Sequence, residues 1–222
     1  MKTRNLFLLT LAACAAMFVF AFITDARLAD GSELPVRWDL NGEPAEFAPS
    51  FWALNIPALI LLGTGLLFAI IPAIEPLQNR LEGSAPLMRA GWLGIIALML
   101  VIQVQIGAPA WGWDMPVNVI LIACGVLLLV LGNAMPKSRP GFFVGIRTPW
   151  TITNEDNWIA THRLGGKLAM IAGAVTVIAS FALGTVQSAA IVMVAATLTA
   201  TLIPVVYSWW FWKNNRAEGT EA

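Results

Sequence analysis

The sequence predicts an all-α polytopic membrane protein with six transmembrane helices and both termini in the cytoplasm. Three observations carry this reading. First, 58% of the residues are hydrophobic and only 12% are charged, roughly half the charged share of a soluble domain. Second, six windows reach the roughly 20 apolar residues that a spanning helix needs: Leu6–Ile23, Trp52–Ile71, Ala90–Gly107, Val117–Ala134, Leu164–Thr185 and Ala189–Trp209. Third, with the N-terminus inside, eleven of the 13 lysines and arginines fall in cytoplasmic segments, as the positive-inside rule requires. These are Lys2, Arg4, Arg80, Arg89, Lys137, Arg139, Arg147, Arg163, Lys167, Lys213 and Arg216; only Arg27 and Arg37 fall outside.

The first window follows Lys2 and Arg4 like a signal peptide, and Leu11-Ala12-Ala13-Cys14 fits a lipoprotein cleavage pattern. A lipoprotein turns polar after its cysteine, whereas Ala15–Ile23 stays apolar, so the segment reads as a span. Cys14 and Cys124 both lie in apolar runs and act as small apolar filler, without a disulfide or zinc site.

Residues 24–51 form the only long polar segment outside. Asp30, Glu33, Asp39, Glu43 and Glu46 make it acidic, so it attracts a cationic ligand or peptide. Asn41-Gly42 favours a tight turn within it. As a solvated connection it would need no further role.

Charge within the spans is nearly absent. Their polar groups are Gln103, Gln105, Asn118 and Asn133, which argues against a proton-coupled pump. A small-solute transporter or lipid-interacting protein using Gln103, Gln105 and Asn118 as a polar path is the alternative function. Gly165, Ala169 and Gly173 make a small-residue ridge on the fifth span, with Gly91 and Gly94 on the third. Such ridges serve packing within the bundle or between copies in a homo-oligomer. The last two spans form a hairpin around 184–188, and Trp209, Trp210, Trp212 and Lys213 close it at the cytoplasmic interface.

The chain divides into an N-terminal module, 1–72, with its outer loop, and a central linker with the third span, 73–116. A module holding spans four to six follows, 117–212, with a basic loop at 135–163, and then a tail, 213–222.

That basic loop is the densest chemistry in the chain. Pro136, Pro140 and Gly141 stop the fourth helix. Thr148-Pro149 holds the backbone extended before Trp150. Thr153 or Asn154 can cap a new helix, with Glu155 and Asp156 in its first turn. From Trp158 this helix runs at the interface and either bends or continues through Gly165-Gly166. Helical spacing puts Trp158, Thr161, His162 and Gly165 on one face. Arg147, Arg163 and Lys167 suit lipid phosphates, and the directional fork of Arg147 suits a defined carboxylate or phosphate partner. No nucleophile–base pair, phosphate loop or metal-ligand set is present, so no catalytic, cofactor or metal residue is assigned and the protein reads as a non-enzyme. The formal net charge of zero gives no footprint for direct nucleic-acid binding.

Three motifs together resemble the bacterial SdpI family of membrane proteins. They are Gly132-Asn133-Ala134-Met135-Pro136, Gly145-Ile146-Arg147-Thr148-Pro149-Trp150-Thr151, and Trp158 with Thr161-His162-Arg163-Leu164-Gly165-Gly166. Leu34-Pro35, Trp38 and Asn41-Gly42-Glu43-Pro44 resemble the module that often precedes that region. Gly141 departs from the pattern, which favours asparagine there. The resemblance implies a multi-pass protein of the bacterial cytoplasmic membrane that gives immunity to a secreted, membrane-active peptide toxin. It also implies a cytoplasmic transcriptional repressor as a second partner, beside membrane lipids. It nominates a cytoplasmic functional surface of Asn133, Pro136, Gly145, Arg147, Thr148, Pro149, Trp150, Trp158, His162, Arg163 and Gly166. It nominates an outer-loop surface of Pro35, Trp38, Asn41, Gly42, Glu43 and Pro44.

Overall fold

Six long apolar helices cross a bundle in the computed structural model, which describes residues 3–74 and 81–218, without the side chains of 81–82 and 216–218. The side chains of Lys2, Arg80 and Arg216, counted in the charge bias, lie outside the described residues, as do 219–222 of the tail. In chain order the elements are α1 (Thr3–Asp25), β1 (Glu33–Trp38), β2 (Pro44–Pro49), α2 (Ser50–Ile74), α3 (Leu81–Gly107), α4 (Asn118–Ala134), α5 (Pro149–Thr153), α6 (Glu155–Ala182) and α7 (Val186–Glu218). Short 3-10 turns follow α3 and α4, at Ala108–Trp111 and Met135–Lys137. The spanning helices α1, α2, α3, α4, α6 and α7 answer to the six predicted windows.

The helix ends differ from the apolar windows for a local reason. Asn154 accepts the N–H of Asn157 at 2.8 Å, so α6 starts at Glu155 and runs unbroken through Gly165-Gly166. The chain therefore continues straight into the fifth span rather than bending at the interface.

The one departure from an all-helical chain lies in the polar segment read as a loop. β1 and β2 pair antiparallel, with Arg37 opposite Glu46 and Trp38 opposite Pro44. Leu34, Val36 and Trp38 turn inward onto Ala21, Ala53, Leu54 and Ile106, while Glu33 and Arg37 stay outside; Pro35 is buried too, next to a shift in register. Arg37 and Glu46 meet at 2.6 Å across the strands, in an exposed position. At the tip, Asp39 Oδ1 accepts the N–H groups of Asn41 and Glu43 at 2.8 and 2.9 Å. Gly42 takes φ +88° there, which the Asn41-Gly42 pair anticipates.

Inside the bundle several polar side chains bond across from one element to another. Trp92 Nε1 donates to Thr10 Oγ1 at 2.8 Å, tying α3 to α1. Gln103 Nε2 donates to the carbonyls of Met17 and Leu54, both at 2.8 Å, and so joins α1, α2 and α3. Asn118 donates to Ser180 O at 3.0 Å, and Gln105 to Met115 O at 2.8 Å. These amides bond to separate backbone sites. Cys14 is buried in the middle of α1 with its thiol on Ala58 O at 3.6 Å.

α4 lies chiefly against α6, and α6 against α7. A Cβ at Gly132 would stand 2.7 Å from Gly166 O, and one at Gly125 would stand 2.9 Å from Gly173 O. The two backbones touch at both points, the close approach that small residues permit in lipid. The ridge thus runs through Gly166, Ala169 and Gly173. Gly165, expected on it, instead faces Met135, Ile146 and Pro204. On α3, Gly94 meets Leu127 of α4 and Gly91 meets Leu131.

The topology sorts the connections to two ends. The hairpin, segment 108–117 and the α6–α7 turn share one end, where Gly42 meets Val117 and Val186. The basic loop lies at the other, where the N–H of Arg139 donates to Gly83 O at 3.0 Å.

Candidate functional site

At the loop end, residues 145–151 are clamped onto the start of α6. Gly145 takes φ +120°, and a Cβ there would sit 2.5 Å from His162 Nε2 and 2.8 Å from the Trp158 ring. Only glycine lets this strand lie flat on the two rings. The next N–H, of Ile146, donates to His162 Nε2 at 2.9 Å. His162 Nδ1 stands 2.9 Å from Trp158 O. Since Nε2 must accept, Nδ1 carries the proton and donates to that carbonyl, which assigns the neutral tautomer. The Trp158 and His162 rings stack, with centroids 4.0 Å apart. Both side chains are fully buried.

Thr148 continues the clamp. It caps α5, exchanging bonds with Thr151: its hydroxyl accepts the N–H of Thr151 at 3.2 Å and its own N–H donates to Thr151 Oγ1 at 2.9 Å. Thr151 also donates to Ile146 O at 2.9 Å. A buried polar seam then crosses to α7, with Thr148 Oγ1 3.1 Å from Ser208 Oγ and Asn157 Nδ2 donating to Ser208 O at 2.8 Å. Thr161 donates to Asn157 Oδ1 at 2.9 Å and completes it. In a water-poor environment such a seam holds the helices in register because each group would otherwise be left unpaired.

The predicted cytoplasmic surface therefore separates into two sets. Trp158, His162, Thr148 and Gly166 are buried and cannot form an exposed surface; they hold the loop down. Asn133, Arg147, Pro149 and Arg163 are exposed, and Pro136, Gly145 and Trp150 are half-buried. Arg147 has one bond, from Nη1 to Phe142 O at 2.8 Å, and otherwise projects outward. Trp150 packs on Trp212 at 5.9 Å, Asn133 accepts from Lys137 at 3.4 Å, and Pro136 fits against Gly166. Arg139 and Glu155 approach to 3.9 Å at the exposed edge. Ser138, which accepts from Trp158 Nε1 at 3.4 Å, and Asn157 and Ser208 belong to this arrangement and were not among the nominated residues. Of these only Ser208 carries a signal, a small polar residue inside an apolar window.

At the hairpin end, Pro35, Trp38, Gly42, Glu43 and Pro44 border a cavity of about 300 Å³ together with Gln105 and Trp113. Asn41 stands aside at the tip, bonded to Asp39. No group of three or more His, Cys, Asp or Glu suited to a metal occurs among the described residues.

The clamp and the exposed arginines fall within residues 137–208, and this stretch matches the SdpI/YfhL protein family. Over this stretch the chain is similar to that family. A relative, "Immunity protein SdpI" of Bacillus subtilis (strain 168), is 22% identical over 183 residues, which is 82% of this chain and 84% of that protein. No solved structure is a significant match. With six helices long and apolar enough to span, this chain is a multi-pass membrane protein, consistent with the bacterial cytoplasmic membrane.

Proposed function

We propose that this protein is a non-enzymatic immunity protein that protects its membrane against a secreted, membrane-active peptide toxin. The observation that carries this reading is the alignment with Immunity protein SdpI, which runs through most of both chains rather than one motif. The charge bias supports an orientation with the hairpin outside and the basic loop in the cytoplasm. In that orientation the acidic hairpin end meets the toxin. The exposed Arg147 and Arg163, displayed on a rigidly held loop, meet a cytoplasmic transcriptional repressor through its carboxylates.

The test is survival of a toxin-sensitive, immunity-deleted bacterium that expresses this protein, with wild type beside Arg147→Ala at matched membrane levels. Protection by both, with loss of repressor recruitment in Arg147→Ala alone, is the expected result. No protection by wild type would sink the immunity reading. Labelling of Asn41→Cys but not Lys137→Cys by an impermeant maleimide on intact cells checks the orientation, in a background lacking Cys14 and Cys124.

A further inference from the structure

Gln105 lies near the end of α3, only 3% exposed, and borders the cavity beneath the hairpin. Its Nε2 donates to Met115 O at 2.8 Å, and this bond decides which way round the amide sits. Oε1 is then left buried without a hydrogen-bond partner. A buried acceptor without a donor is costly and calls for a group to fill it.

The rest of the cavity says what kind of donor. Trp38 and Trp113 supply aromatic walls, and Glu43 and Asp114 supply carboxylates that have no ion-pair partner among the described residues. Segments 24–51 and 108–117 together hold seven carboxylates against two guanidinium groups. A neighbouring ring already accepts a cation: the Arg27 guanidinium lies 3.7 Å from the centre of the Trp111 ring, which stacks on Trp113 at 5.4 Å. Arg27 is thereby occupied, and Arg37 is taken by Glu46 at 2.6 Å. At about 300 Å³ the cavity is at the small end of ligand sites.

We propose that this cavity binds the ammonium end of a lysine side chain from a peptide. The charged head donates to Gln105 Oε1, Glu43 and Asp114 hold its charge, and the aliphatic stem lies along the tryptophans. That the lysine comes from a toxin rests on the immunity reading above; the cation site itself does not.

The experiment uses the full chain in zwitterionic nanodiscs with Nα-acetyl-lysine amide as probe, read by saturation-transfer NMR. Nα-acetyl-norleucine amide has a similar stem without the charge and serves as the control. The lysine probe is expected to bind and the control not. Glu43→Gln combined with Asp114→Asn, both at exposed positions, is expected to weaken binding about tenfold or more, and Gln105→Leu to do the same. Equal binding of the two probes, or binding unchanged in the carboxamide double variant, overturns the site. Lysine-probe binding without toxin protection by the wild type would leave the site standing and remove the immunity reading. Protection without lysine-probe binding would do the reverse.

Discussion

His162 Nε2 accepts the backbone N–H of Ile146 at 2.9 Å, across 16 residues of chain. This one bond joins the loop motif Gly145–Thr151 to the α6 motif that begins at Trp158. Two stretches that look like separate signatures in the sequence are one structural unit.

Replacing His162 by alanine leaves the Ile146 N–H and the Trp158 ring face without their partner. The expected cost is about 1–3 kcal/mol. It should appear as a lowered thermal midpoint in detergent and as faster proteolysis within 138–147, with the six spans still inserted.

Gly145→Ala attacks the same contact from the other side. The new methyl would lie 2.5 Å from His162 Nε2 at φ +120°, so both sterics and backbone conformation oppose it. Backbone strain alone is worth about 1–3 kcal/mol, and the variant should be less stable than wild type by at least that much. Combining it with His162→Ala should recover part of the loss, since the clash partner is gone; a double-mutant cycle in thermal unfolding reads the coupling.

The contact between α4 and α6 makes a sharper demand. A Cβ at Gly166 would lie 2.6 Å from Gly132 O, so a larger residue must push the helices apart. Gly166→Val should sharply reduce folded protein recovered from the membrane, whereas Gly184→Ala, where a Cβ meets nothing within 4 Å, should not. Yield of monodisperse protein on size exclusion separates the two.

At the hairpin tip, the N–H of Glu43 leads a set of donors that hold the Asp39 carboxyl below its ordinary value. A depressed folded value means that ionised Asp39 stabilises the turn above the unfolded value and loses that effect as pH falls through the folded one. The turn should therefore be indifferent to pH around neutrality and loosen only below the usual aspartate range. Asp39→Ala should loosen it at every pH. Amide exchange at Asn41 and Glu43 is the measurement, and equal protection in wild type and Asp39→Ala would discard the turn mechanism.

Much of this architecture was legible before any coordinates. Apolar runs long enough to cross a bilayer leave little choice but helix, because a backbone in lipid must bond to itself. The Asn154 cap and the Asn41-Gly42 turn follow from side chains acting on nearby backbone, a reach of three or four residues. Helical spacing likewise put Trp158, Thr161 and His162 on one face.

Spacing does not say what covers a face, and there tertiary structure decided. Trp158 and His162 looked like surface chemistry; Gly145 and Ile146 bury them. Gly165 and Gly166 are neighbours in sequence but about 100° apart around a helix, and only the approach of Gly132 selects the second for the ridge. The hairpin needed Ala21, Leu54 and Ile106 beneath it before an acidic, proline-bearing segment could read as paired strands. Gln105 was one of several amides in an apolar run until Met115 took its donor and left its oxygen without one, on a residue that borders a cavity. Composition determined which segments leave water, since transfer free energy sums over local residues; contacts between distant residues determined which polar groups were left to act, since each is satisfied or orphaned only by what folds against it.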